Sequence, residues 1–189
     1  MLRLLLLSLL LFPTLVAGFG CATVRPEGEV VPVEAPSPRE TGKVEVGQPY
    51  FDFNGPLLMG GEFSLAKVVG RQVVLLQFWG IRCGPCLQEF RLLDRLYEAY
   101  RNRGLLVLGI NTDGLDAARL TQAMVERGVN PSYPVMLDRG FSAATHYTQW
   151  LVPVSVLIDR HGVVRAIHTG YKPGLDAAIE AELVEVLEE

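Results

Sequence analysis

The sequence predicts an α/β fold in which a central mixed β-sheet is flanked by helices. Two continuous apolar runs, residues 73–78 and 105–110, are typical of strands that are buried on both faces. Between them, apolar side chains recur every three or four residues, as in an amphipathic helix. This order indicates a right-handed crossover between parallel strands. Residues 154–158 and 163–168 flank a turn and predict an antiparallel hairpin, which makes the sheet mixed.

Length and charge set the first limits on function. The 189 residues are enough for one domain with a sizeable core and additional terminal segments. The formal net charge of -4 gives no reason to expect nucleic-acid binding, which usually requires a basic patch.

Residues 1–20 have the features of a targeting segment. Arg3 precedes the apolar run 4–12, and small residues follow before Cys21. This end of the segment resembles a bacterial lipoprotein signal, in which the cysteine is acylated, although that pattern usually has Leu where this chain has Gly18. The resemblance implies lipid attachment at Cys21. A conventional cleaved signal and an uncleaved anchor are the alternatives.

Residues 21–46 are polar and proline-rich, without a sustained apolar period. Such a composition predicts an extended, poorly ordered tether, which either lets a catalytic domain reach its partners or acts as a passive spacer. The globular domain is therefore predicted to span residues 47–189. It opens with an alternating run at 50–53, a predicted short strand, and a turn is predicted at 54–56.

Cys83 and Cys86 lie where the strand 73–78 passes into the helix. Unpaired N–H groups and a partial positive charge at the start of a helix favour a thiolate over a thiol. Cys83 is predicted to attack a substrate, and Cys86, in the first helical turn, to resolve the mixed disulfide. Gly84 tolerates the tight approach and Pro85 suits the first helical turn. The pair thus predicts a redox-active disulfide that needs no metal and no organic cofactor.

A zinc site is the alternative interpretation of two cysteines at this spacing. Zinc would require two further ligands at suitable spacing, but the third cysteine, Cys21, is far upstream. His146, His161 and His168 form no paired ligand motif. The sequence therefore favours redox chemistry, and His146 is predicted to be structural.

The remaining elements follow the same rules. Gly104 and Gly128 are predicted to end two helices, the second of which spans 115–127. A short strand is predicted at 133–137, a helix or turn at 141–150 and a last helix at 175–189. The predicted core residues of these helices are Leu120, Met124, Val125, Ile179, Leu183 and Leu187.

Residues 78–86 resemble the active-site segment of the thioredoxin superfamily, and their surroundings resemble its TlpA/ResA-type, membrane-tethered branch. The similarity extends over residues 47–189 and is most specific at 79–89. It implies a thioredoxin-like fold. It also implies a set of substrate-contacting residues, namely Trp79, Arg82, Gly84, Pro85, Val152 and Pro153. Arg82 departs from the family, which commonly has Trp before the first cysteine.

The same resemblance implies roles for two more positions. Glu89 matches a functional glutamate of that branch and is expected to take the proton from Cys86, because Gln77 stands where thioredoxins carry a buried acid. The alternative is a first-turn glutamate that only complements the helix dipole. Pro153 matches the family's cis-proline, which would present the Val152 backbone to a substrate strand; the alternative is an ordinary proline at a strand start.

The function implied is that of a thiol-disulfide oxidoreductase in the bacterial cell envelope, tethered to the membrane on its periplasmic side. Protein thiols and disulfides are the expected substrates, apocytochrome c thiols among them. The expected direction is reduction, with electrons from a membrane thiol carrier. A thiol peroxidase and a tethered binding module without catalysis are the alternatives.

Overall fold

A computed structural model describes residues 38, 39 and 42–189 of the chain. The predicted targeting segment, Cys21 and most of the predicted tether lie outside these residues. In the described part of the chain, no helix combines the length and apolarity that crossing a membrane requires.

Five strands form the central mixed sheet, in the order β5, β4, β3, β6, β7. β3 runs parallel to β4, and β4 to β5, whereas β6 is antiparallel to β3 and to β7. A separate two-stranded ribbon precedes this sheet and consists of β1 and β2. The strands span Asn54–Pro56 (β1), Glu62–Ser64 (β2), Val73–Trp79 (β3), Leu105–Asn111 (β4), Val135–Leu137 (β5), Val154–Ile158 (β6) and Val164–Thr169 (β7).

Four helices cover the sheet: Gly84–Tyr100 (α1), Ala117–Arg127 (α2), Ser142–Tyr147 (α3) and Leu175–Glu188 (α4). The side chains of β3 alternate between two cores. Val73, Leu75 and Trp79 pack with α1, α2 and α4, whereas Val74, Leu76 and Phe78 pack with α3 and the segment before β1. Each residue of β3 is buried. The predicted α/β fold with a helix-flanked mixed sheet is confirmed.

The beginning of the domain differs from the sequence prediction. Residues 50–53 do not form a strand within the sheet, and only isolated bridges link Pro49 to Val163 and Phe51 to Arg39. The predicted turn at 54–56 is instead β1, with Pro56 opposite Glu62. The chain reverses later because Gly60 and Gly61 both have positive φ angles. An edge ribbon also tolerates a proline that cannot donate a hydrogen bond.

The predicted tether reaches too far into the domain. Val44 is buried at 8% exposure, and its N–H donates to the carbonyl of His146 at 3.0 Å. The Arg39 guanidinium lies 5.2 Å from the centre of the Phe51 ring. His146, predicted to be structural, also stacks on Phe51, with the two ring centres 4.4 Å apart. The domain therefore begins several residues before position 47.

The helix boundaries and one core residue also need correction. α1 ends at Tyr100 rather than directly before Gly104, and a single turn of 3-10 helix, Arg101–Arg103, follows it. α2 begins two residues later than predicted because the Asp116 side chain accepts from the N–H of Arg119 and caps the helix. Val125 is 75% exposed, so its prediction as core is wrong.

Candidate active site

The two cysteines lie at the junction of β3 and α1. Cys83 is the N-cap of α1, and its sulfur accepts a hydrogen bond from the N–H of Cys86 at 3.2 Å. The two sulfurs form a disulfide of 2.04 Å, with the Cα atoms 5.2 Å apart. The helix therefore directs a free N–H group at the sulfur of Cys83, where it stabilises a thiolate once the disulfide is reduced.

The two sulfurs differ in accessibility. Cys83 is half-buried, whereas Cys86 has no exposed surface. A substrate can thus approach Cys83 from solvent, but it reaches Cys86 only through a bond already made to Cys83. This asymmetry agrees with the predicted order of attack and resolution.

The loop before Cys83 is held by residues at and just beyond the end of β4, which were absent from the predicted site. A carboxylate oxygen of Asp113 accepts from the N–H of Ile81 at 2.7 Å and from the side-chain amide of Asn111 at 2.6 Å. The Trp79 carbonyl accepts from the N–H of Thr112 at 3.0 Å. The sequence did contain a signal for Asp113, because it is a polar residue soon after a buried parallel strand. The carboxyl ends of parallel strands meet at one edge of a sheet, so such a residue is expected near the dithiol.

Replacing Asp113 with alanine is expected to lower the free energy of unfolding by about 1 kcal/mol, because the N–H of Ile81 and the Asn111 amide lose their acceptor. Asp113→Asn is the matched control, since its amide oxygen can still accept from Ile81. Urea denaturation of the oxidised proteins measures both effects. Equal stability of the Ala variant and the parent chain would show that Asp113 does not hold the loop.

Glu89 lies one helical turn beyond Cys86, on the same buried face of α1. Its side chain is 1% exposed. One carboxylate oxygen accepts from the Ser155 hydroxyl at 2.7 Å and the other from the Gln77 amide at 2.9 Å. Gln77 and Ser155 are direct partners on β3 and β6, so the sheet register places both donors under Glu89.

The network extends to Tyr133, whose hydroxyl donates to the Gln77 side-chain oxygen at 3.4 Å. Burial raises the pKa of the Glu89 carboxyl above its ordinary value. This effect outweighs the hydrogen bonds from Gln77 and Ser155, which lower the pKa. Burial also raises the pKa of Tyr133 well above its ordinary value, which keeps its hydroxyl protonated. Ser155 and Tyr133 were absent from the predicted site, because only the tertiary fold brings them to Glu89.

Trp79 corrects the predicted set of substrate contacts. Its side chain has no exposed surface and packs edge-to-face on Phe90, with the ring centres 4.9 Å apart. It therefore supports the loop from the core and cannot contact a substrate. The other predicted residues of this loop, Arg82, Gly84 and Pro85, are exposed around the dithiol.

The peptide bond between Val152 and Pro153 is cis, as predicted. The next residue, Val154, pairs with Phe78 near the end of β3, so the Val152–Pro153 segment lies at the same end of the sheet as the dithiol. Pro153 is buried, and its carbonyl accepts from the N–H of Gly170 at 2.8 Å. Val152 is exposed, and its N–H and carbonyl make no backbone hydrogen bond within the described residues.

Among the residues that the structure describes, no group of three or more His, Cys, Asp or Glu side chains is arranged to hold a metal ion. The predicted independence from metals and organic cofactors stays a prediction.

Comparison with known proteins places these features in context. The model of the AhpC/TSA family matches residues 46–167. The thiol-disulfide oxidoreductase ResA of Geobacillus kaustophilus is 30% identical over 131 residues, which cover 69% of this chain and 73% of the relative. The thioredoxin-like protein YneN of Bacillus subtilis is 29% identical over 135 residues, covering 71% and 76%.

Solved structures agree with the sequence comparison. A crystal structure of a proposed thiol:disulfide interchange protein DsbE from Chlorobium tepidum is 28% identical, with a TM-score of 0.70. It covers 77% of this chain and 99% of its own. A solution structure of a proposed protein disulfide isomerase from Bacteroides thetaiotaomicron is 27% identical, has a TM-score of 0.68 and covers 77% and 92%.

Proposed function

The chain belongs to the AhpC/TSA family, alongside the thiol-disulfide oxidoreductases named ResA, and we propose that it exchanges disulfides with protein substrates through Cys83 and Cys86. One observation carries the proposal. A half-buried sulfur that caps a helix is bonded to a fully buried sulfur three residues later.

In the reducing direction, the reaction begins with the reduced dithiol. The Cys83 thiolate attacks one sulfur of a substrate disulfide, forms a mixed disulfide and expels the other substrate sulfur as a thiolate, which takes up a proton. Cys86 then loses its proton and attacks the sulfur of Cys83. The second substrate thiolate leaves and is protonated. Two electrons and two protons have passed to the substrate, and the protein holds the Cys83–Cys86 disulfide.

Glu89 is the proposed acceptor of the proton that Cys86 loses. Both groups are buried on one face of α1, at a spacing of one turn, so water reaches neither readily. A carboxyl with a raised pKa is matched to this task because it exchanges its proton closer to neutral pH than an exposed glutamate does. Ser155 and Gln77 hold its two oxygens in place.

The Val152 backbone is the proposed docking point for the substrate. Within the described part of the chain, its N–H and carbonyl have no backbone partner, and they lie at the end of the sheet that carries the dithiol. An extended substrate segment can pair with them as an additional strand. Arg82, Gly84 and Pro85 border the same opening from the other side of the dithiol and are proposed to contact the substrate as well.

The proposed setting is the periplasmic side of a bacterial cell envelope. Residues 1–20 would direct export, and Cys21 would carry a lipid that anchors the domain to the membrane. The domain would then act as a reductant, with a membrane dithiol carrier as its electron donor. Disulfides of apocytochrome c, which become thiols when reduced in cytochrome c maturation, are the proposed substrates of this kind.

The reduction potential of the Cys83–Cys86 couple tests the proposal. We expect a value near that of thioredoxin, about -270 mV, when the protein is equilibrated against a dithiol buffer. A potential near -120 mV would identify a disulfide donor and contradict the reducing direction. The absence of a two-electron couple would contradict the oxidoreductase itself, and peroxide consumption would favour a thiol peroxidase.

A further inference from the structure

Three consecutive large apolar residues are exposed immediately before Pro153. Trp150 is 68% exposed, Leu151 55% and Val152 37%. The Trp150 ring packs against Phe141 at a centre-to-centre distance of 5.5 Å. We refer to Phe141, Trp150, Leu151 and Val152 as the Trp150 surface. Contiguous exposed apolar residues of this kind are typical of interaction surfaces.

The backbone that presents Trp150 is strained. Gln149 and Trp150 have φ angles of 50° and 69°, in the left-handed region that favours glycine. Such a conformation is energetically unfavourable and persists only where the surroundings hold it. Strain of this kind concentrates at functional sites, so it points to a role for the exposed ring.

A buried threonine keeps the backbone at Trp150 in this conformation. Thr148 is 3% exposed, and its hydroxyl accepts from the N–H of Trp150 at 3.0 Å while it donates to the carbonyl of Ala144 at 3.1 Å. The Thr148 carbonyl accepts from the N–H of Leu151, also at 3.0 Å. On the other side, the Lys43 ammonium donates to the Gln149 side chain at 2.9 Å. The ring is thus fixed outward by the fold.

A chain of contacts connects the Trp150 surface with the dithiol loop. The tip of Phe141 lies 3.6 Å from the position that a Cβ atom on Gly114 would occupy. The neighbouring residue, Asp113, holds the N–H of Ile81, two residues before Cys83. At its other end the surface reaches Val152, beside the start of β6. A substrate segment that pairs with Val152, at the sheet end that carries the dithiol, would therefore lie beside the other residues of this surface.

We propose that the Trp150 surface binds a large apolar side chain that flanks the reacting cysteine of an extended polypeptide substrate. The inference rests on the proposed function. The N–H and carbonyl of Val152, which have no backbone partner among residues 38, 39 and 42–189, select an extended backbone, whose side chains point alternately to and from the surface. A rigid indole ring, exposed on one side and packed on Phe141 on the other, offers apolar area with little loss of conformational freedom.

The test compares two disulfide-linked peptides that differ only in the residue flanking the cysteine, Phe in one and Ser in the other. Hydroxyethyl disulfide serves as a substrate too small to reach the surface. For the parent chain we expect kcat/KM to be about tenfold higher for the Phe peptide. Trp150→Ala should abolish this preference, and rates with the Ser peptide and hydroxyethyl disulfide should stay within twofold.

Two further variants control for poor folding and for the general loss of an exposed apolar side chain. Trp150→Gly removes the ring and also relieves the backbone, because glycine accepts a positive φ angle, so it should lose the preference even if the Ala variant folds poorly. Met59→Ala removes another large apolar side chain, 95% exposed on the turn between β1 and β2, and should keep the preference.

Three outcomes would overturn the inference, and a fourth would overturn the proposed function on which it rests. Retention of the Phe preference by both Trp150 variants would show that the ring does not bind the substrate. A concentration-dependent dimer of the parent chain that Trp150→Gly dissociates would assign the surface to a second copy instead. Failure of the parent chain to reduce hydroxyethyl disulfide would overturn the proposed function itself, whereas normal reduction without any peptide preference would overturn only this inference.

Discussion

Replacing Cys83 with alanine is expected to reduce the rate of substrate disulfide reduction to that without enzyme. The half-buried Cys83 sulfur is the only one of the pair that a substrate can reach, because Cys86 has no exposed surface. Without the first attack, no mixed disulfide forms and Cys86 has nothing to resolve. Insulin reduction with excess dithiol, corrected for the uncatalysed rate, measures the effect.

Cys86→Ala is the matched variant, since it removes the same atoms from the other sulfur position. It should also lose turnover, but it should accumulate a mixed disulfide between Cys83 and the substrate, visible by mass spectrometry as one added substrate chain. Cys83→Ala should form no adduct through Cys86. The reverse pattern, with an adduct through Cys86 alone, would show that the order of attack is wrong.

Replacing Glu89 with glutamine is expected to slow turnover at neutral pH by about 10²-fold, the usual size of a general acid–base contribution. Glutamine fits the same site but cannot accept the proton of Cys86. The defect should be largest at low pH and shrink as the pH rises, because Cys86 then loses its proton to hydroxide. Glu98→Gln, on an exposed position of the same helix, should leave turnover unchanged.

The same pair of variants separates proton transfer from a merely structural role through the pH dependence of stability. Burial raises the pKa of Glu89 in the folded protein above its unfolded value, so the folded state retains the proton more strongly. This stabilisation is complete below the ordinary pKa of a glutamate and is lost as the pH rises through the raised pKa. Denaturation of Glu89→Gln should lack this loss.

The opposite result would be informative for the mechanism. If Glu89→Gln changes the pH dependence of the free energy of unfolding but leaves turnover at all pH values unaltered, then Glu89 is a buried structural acid and another group accepts the proton of Cys86. If neither turnover nor the pH dependence of stability changes, the pKa of Glu89 is the same in the folded and the unfolded protein.

The central sheet and its helices could be predicted from local patterns. The largely apolar runs of β3 and β4 and the periodic apolar face of α1 each indicate burial through a few neighbouring residues. The predictions were wrong where the local sequence is compatible with two conformations. The segment 54–56, rich in turn-forming residues, became β1 because Gly60 and Gly61 supply the reversal.

The dithiol was predictable for the same reason. Cys83 and Cys86 are three residues apart at a strand-to-helix junction, so their spacing alone brings the sulfurs together. Trp79 lies equally close in sequence, but whether it faces a substrate or the core depends on the strand register. That register buries it against Phe90, contrary to the prediction.

By itself, therefore, the sequence determined the α/β fold, the position of the dithiol and the place of Glu89 on the same side of the helix as Cys86. Only the tertiary structure decided which groups surround them. Ser155 donates to Glu89 across 66 residues of chain, and Asp113 holds Ile81 across 32. Such contacts arise from strand register and sheet order, which many distant residues set together, so no local pattern contains them.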